Sequence, residues 1–134
     1  VVTGGEGATK LVTITVTGAR TTGEARQTAR AIANSPLVKT AVHGGDPNWG
    51  RLVAVAGRAG VAFDLTRARV RIGDAELFSD GQAFADREPA AAEHLKGSTV
   101  AIGVDVGAGG TGTATVWTCD LSAEYVRINA DYRT

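Results

Sequence analysis

Cysteine is almost missing from this chain: Cys119 is the only one among 134 residues. That excludes an internal disulfide and a metal cage built from thiolates. Histidine is nearly as scarce, and neither His43 nor His94 has carboxylates in register with it, so no metal site is expected. No apolar run approaches the ~20 residues of a membrane span. No basic-then-apolar leader opens the chain, although Val1 is not an initiator methionine. Charge of one sign is lacking too: 14 Lys and Arg balance 14 Asp and Glu, leaving no overall field for nucleic acid or an anionic membrane. The expectation is a cytoplasmic protein with neither of those partners. Aromatic residues are only 5% of the chain while glycines number 18, so tight turns and Val, Ala and Ile packing must build the fold.

The hydrophobic share is 43%, which suits one globular domain spanning 1–134. Lys10–Thr17 alternates Val12, Ile14 and Val16 with polar neighbours, a strand with one core face. A helix from Thr22 or Gly23 to about Asn34 places Ala25, Thr28, Ala29, Ile32 and Ala33 on one side. Ser35-Pro36 reads as a cap and first helical residue, opening a short helix that ends at Gly44-Gly45. A third helix is predicted from about Asn48 to Gly60, then a short strand over Val61–Leu65. Ala68–Ile72 and Glu76–Phe78 flank Gly73-Asp74 as a hairpin. A last helix starts near Arg87 and ends at Gly97. Ser98–Val106 and Gly112–Cys119 read as two strands joined in an antiparallel hairpin by the glycine-rich Gly107–Gly112. The tail beyond them starts helix-like and ends irregularly. The fold class predicted is α/β (α+β), a single mixed sheet with helices packed on it.

The opening Gly4-Gly5-Glu6-Gly7-Ala8-Thr9-Lys10 invites comparison with a phosphate loop. A Walker loop needs lysine followed by a hydroxyl residue and a helix, whereas Lys10 precedes Leu11 and a strand. A dinucleotide fingerprint lacks its third glycine. No helix N-terminus is available to face an anion, and Glu6 repels one. What remains is a carboxylate on a glycine turn, either simply solvated or suited to an ammonium group.

Other candidates favour ordinary roles. Trp49, in "GGDPNWGR", is either one wall of a pocket or a staple of loop to core, the staple being preferred. His43 has no Ser, Cys or Asp at triad spacing and reads as a surface histidine. Cys119 reads as a buried, inert thiol. Arg67, Arg69 and Arg71, like Thr111, Thr113 and Thr115, alternate as solvated strand faces. The tail carries Tyr125, Val126, Ile128 and Tyr132, enough apolar surface to dock rather than fray.

Three blocks together, "GEGATK", "NSPLVKTAVHGGDPNWGR" and "CDLSAEYVRINADYRT", resemble the carboxyl-terminal part of the ornithine acetyltransferase family, also called glutamate N-acetyltransferases. The likeness covers nearly the whole chain and is weakest from Asp64 to Lys96. It implies an acyltransferase of arginine biosynthesis that moves acetyl from N-acetylornithine to glutamate, with acetyl-CoA possible as co-substrate and no other cofactor. It implies a precursor that cleaves its own backbone before a threonine, whose freed amino group activates its hydroxyl. The oxyanion hole is implied to come from the amino-terminal (alpha) chain, in an assembly of two alpha and two beta chains.

The resemblance also implies site residues. Glu6, from "GEGATK", corresponds to a substrate-binding carboxylate that receives an ammonium of ornithine. Asn129 and Thr134, from "NADYRT", correspond to groups that bind the amino-acid end of the substrate, as amide and hydroxyl chemistry permits. No catalytic residue is assigned within the chain. The family's cleavage motif, Ala-Thr-Met-Leu, is absent, and Ala8-Thr9 is followed by Lys10, so the nucleophile is expected upstream of Val1 and the fragment alone is expected to be inactive. His43 stands where the family has an aromatic residue and receives no role. Alternatives at this level are a paralogue serving a secondary-metabolite pathway, a noncatalytic binding or assembly module, and an amidohydrolase relative that would hydrolyse without an acceptor.

Overall fold

A computed structural model describes residues 10–119. Its elements are β1 (Leu11–Ala19), α1 (Thr22–Ala33), α2 (Pro36–His43), α3 (Trp49–Gly57), β2 (Arg69–Ile72), β3 (Ala75–Ser79), β4 (Gln82–Ala83), α4 (Glu88–Leu95), β5 (Thr99–Asp105) and β6 (Gly112–Cys119), with a single 3-10 turn at Ala85–Arg87. The expected mixed sheet with helices is present. Six strands run in the order β4-β3-β2-β5-β1-β6. β1 and β5 are parallel; the other neighbouring pairs are antiparallel.

Period-two alternation explains the sheet's inner face. Val12, Ile14 and Val16 of β1, Val70 and Ile72 of β2, and Val100, Ile102 and Val104 of β5 are all buried. Helix α1 covers β1 and β6 with small residues, Ala25, Ala29 and Ala33, around Ile32. Thr28, the one buried polar residue among those described, donates its hydroxyl to the Glu24 carbonyl of the same helix at 3.0 Å. Each of the first three helix starts has a local cause. The Thr21 hydroxyl accepts from the Glu24 amide, Ser35 from Val38 and Asn48 from Arg51, at 3.1, 3.2 and 3.1 Å.

Three sequence expectations need correction. Val61–Leu65 is not a strand. The Asp64 carboxylate accepts from both the amide and the hydroxyl of Thr66, at 3.0 and 2.7 Å, and this local turn takes the chain out of extended geometry. Helix α3 stops at Gly57, not Gly60.

The third correction matters most: β5 and β6 are not a hairpin. β1 lies between them, parallel to one and antiparallel to the other. The glycine-rich Gly107–Gly112 stretch therefore crosses the end of β1 instead of turning tightly. A Cβ on Gly110 would lie 2.3 Å from the Ala19 carbonyl oxygen, and one on Gly112 2.2 Å from that of Thr21. Backbone passes against backbone there, which only glycine allows.

Candidate functional site

Glu6, Asn129 and Thr134 lie outside the described residues. Leu11 of β1 pairs with Cys119 of β6. The segment bearing Glu6 and the one bearing Asn129 and Thr134 therefore join the sheet at the same end of two neighbouring strands.

Lys10 fixes that end. Its ammonium donates to the carbonyl of Val42, in the last turn of α2, at 3.2 Å and to the carbonyl of Leu95, at the end of α4. Both carbonyls belong to helix C-termini, whose partial negative charge favours a cation. The Leu11 amide continues the anchor by donating to the Ser98 carbonyl at 2.9 Å. One lysine thus ties the start of β1 to two helix ends beside the sheet.

The "GGDPNWGR" block shapes the wall behind this anchor. The Asp46 amide donates to the Ala41 carbonyl at 2.8 Å, closing α2. Asn48 donates to the Asp46 carboxylate at 3.3 Å and caps α3. The Arg51 guanidinium reaches the Leu37 carbonyl at 2.9 Å, bracing α3 against α2. Trp49 stacks on Phe78 with ring centroids 4.8 Å apart and planes at 18°. Of the two readings of Trp49, the staple is therefore the one its packing supports. His43 ends α2 and is exposed. Cys119 is half-buried at the end of β6, so the expectation of a buried thiol is corrected: a strand end on the sheet's edge leaves its side chain partly open.

Among the described residues, no group of three or more His, Cys, Asp or Glu could hold a metal ion, and no helix is long and apolar enough to cross a membrane. The lowered carboxyl groups lie in turns and helix starts. Hydrogen bonds from Thr66 hold Asp64 below the ordinary aspartate value, and Arg20 does the same for Glu24.

Sequence reasoning missed one feature. On the sheet face away from the helices, Arg69, Arg71, Glu76 and Asp105 surround a cavity of about 180 Å³ with Thr15 and Thr17. Strand alternation had marked the arginines only as solvated. The available signal was the glycine that pairs with Arg71, Gly103.

The described parts of the three blocks are therefore joined in space, in a two-layer α/β unit with one built end: Lys10 touches α2, and Leu11 pairs with Cys119. Comparison with known proteins agrees with that grouping, because the ArgJ family model matches residues 1–134. The chain belongs to the ArgJ family, the ornithine acetyltransferases. It is 51% identical over 135 residues to the arginine biosynthesis bifunctional protein ArgJ of Gloeobacter violaceus, covering 100% of this chain and 33% of that protein. It is 50% identical to the ArgJ protein of Ruegeria pomeroyi, with the same 100% and 33% coverage. The crystal structure of the ArgJ protein from Bacillus halodurans is similar at a TM-score of 0.85 and 40% identity, over 96% of this chain and 60% of that one. The chain spans about a third of the length of the curated relatives it matches.

Proposed function

We infer that this chain is the substrate-binding part of a glutamate N-acetyltransferase in arginine biosynthesis. The observation that carries the reading is the Leu11–Cys119 pairing with Lys10 anchored beside it. Glu6 is five residues from Leu11 and Asn129 ten from Cys119. At roughly 3.3 Å per extended residue, both are within reach of one small ligand at that end of the sheet.

Glu6 receives an ammonium of ornithine, and Asn129 and Thr134 bind the amino-acid end. The nucleophile is a threonine in the upstream part of the full-length protein. Its hydroxyl attacks the acetyl carbonyl of N-acetylornithine and its own amino group takes the hydroxyl proton. The carbon–nitrogen bond breaks, the threonine ammonium passes that proton to the leaving nitrogen so that ornithine departs as the free amine, and the acetyl group stays on threonine as an ester. The amine of glutamate then attacks that ester, forming N-acetylglutamate and returning the proton to the threonine oxygen. Acetyl-CoA serves as a second donor through the same ester. The working protein is an assembly of two alpha and two beta chains in the cytoplasm, and this chain alone is inactive.

Glu6→Gln in the full-length protein tests the assignment. Losing one charge-assisted contact costs about 1.5–3 kcal/mol, roughly ten- to a hundred-fold. The expected result is a KM for N-acetylornithine raised by about that factor. Steady-state constants equal to those of the unsubstituted enzyme would reject the role of Glu6.

A further inference from the structure

Among the described residues, the sheet has helices on one face only. On the other, among the described residues, nothing covers the outward residues of β1, β2, β5 and β6. Two large apolar side chains stand together there: Trp117 is 65% exposed and Leu11 48%. They share a face because Trp117 pairs with Thr13, two residues along β1 from Leu11.

The rest of the face is equally specific. Arg71 pairs with Gly103, and its guanidinium lies flush over that glycine, 3.0–3.2 Å from where a Cβ would stand. A methyl at 103 would displace the guanidinium by a few tenths of an ångström. Among the described residues Arg71 makes no ion pair, whereas its neighbour Arg69 has Asp80 at 3.7 Å. Thr15, next to Gly103 across the sheet, makes the centre shallow. The result is a low trough with an aromatic on one side and a flat, unpaired guanidinium on the other. Tryptophan and arginine are the residues that most often carry the binding energy of protein interfaces.

We propose that this open sheet face is the seat for the upstream part of the same full-length protein, with Trp117 as its apolar anchor and Arg71 as the partner of a carboxylate on the incoming element. The proposal rests on the reading of this chain as one part of a larger enzyme. Two facts favour that occupant over others. The curated relatives are about three times as long as this chain, so they hold ample chain to form a second layer. Leu11 and Cys119 also bring the open face up to one end of the sheet, and on the proposed reading the upstream part completes the substrate site at that end.

The test uses the active full-length enzyme. Hydroxyl-radical footprinting of the unsubstituted protein is read at Trp117, with the urea-unfolded protein as reference. Oxidation at least tenfold slower in the folded enzyme is expected; protection of less than tenfold overturns the seat. The occupant is identified by placing p-benzoylphenylalanine at position 117, irradiating, and sequencing the cross-linked peptides. Cross-links to peptides upstream of Val1 are expected. Cross-links to any part of residues 1–134, in the same or a second copy, or none, overturn the assignment. The two readings fail separately. Acetyl transfer with an open Trp117 removes the seat alone, and a covered Trp117 without acetyl transfer removes the activity alone.

Discussion

Gly110 makes the crossing over β1 a quantitative test. Alanine there places its Cβ 2.3 Å from the Ala19 carbonyl oxygen and 2.8 Å from the Arg20 Cα. Ordinary carbon contacts lie near 3.5–4.0 Å, so the methyl is roughly 1 Å too close. Both obstacles are backbone and cannot rotate away. The loop has to lift, weakening the passage that delivers β6 to its place beside β1. Overpacking of this kind costs about 1–3 kcal/mol, and a fixed obstacle belongs at the upper end. Two controls separate this cost from backbone effects. Gly81 has φ +83° but nothing within 4 Å of the place its methyl would take, so Gly81→Ala bears only the left-handed conformation, about 1–2 kcal/mol. Gly23 sits in the first turn of α1 with its nearest neighbour at 3.8 Å, and Gly23→Ala should stabilise by about 0.4–1 kcal/mol. Urea unfolding followed by circular dichroism ranks them. The expected order of stability is Gly23→Ala, unsubstituted, Gly81→Ala, Gly110→Ala. A Gly110→Ala midpoint equal to or above that of Gly81→Ala would refute the close passage.

The remaining predictions concern charge. Lys10→Met removes the cation shared by the ends of α2 and α4, and should destabilise the chain by about 1.5–3 kcal/mol while speeding amide exchange at Leu11; unchanged exchange there would exclude the anchor. Asp64 has its carboxyl held below 3.8 by Thr66, so its contribution is present above that value and is lost as pH falls through the lower, folded value. Asp64→Asn should therefore flatten the acid limb of a thermal-stability profile below about pH 3.8. A variant whose acid limb is as steep as before would contradict it.

Local signals were legible in the sequence and partner choice was not. β1 and α1 follow from period two and period 3.6, and Val12, Ile14, Ala25 and Ile32 are buried as their spacing requires. Ser35-Pro36 announces α2 by the chemistry of helix starts. Gly107–Gly112 announces a change of direction, but glycines do not say which strand lies on the far side. Hairpin and crossover look alike until β1 is placed between the two strands. Asp64 shows a similar limit, since Val61, Ala62, Phe63 and Leu65 look strand-like until the side chain of Asp64 bends the backbone. For the site, composition and spacing gave Glu6 no distinction from a solvated turn residue. Only the three motifs taken together singled out Glu6, Asn129 and Thr134. The open face is not legible in the sequence, because a face of Thr, Gly and Arg alternates like a wet strand.

The position of β1 has a consequence for biosynthesis. It is the earliest described strand to leave the ribosome, yet both of its neighbours, β5 and β6, come from the far end of the chain. Until they emerge, an apolar ribbon of Val12, Ile14 and Val16 has two unsatisfied edges, and long-range closure of this kind is slow and prone to wrong pairing. The centre of this sheet therefore cannot close until β6 has emerged.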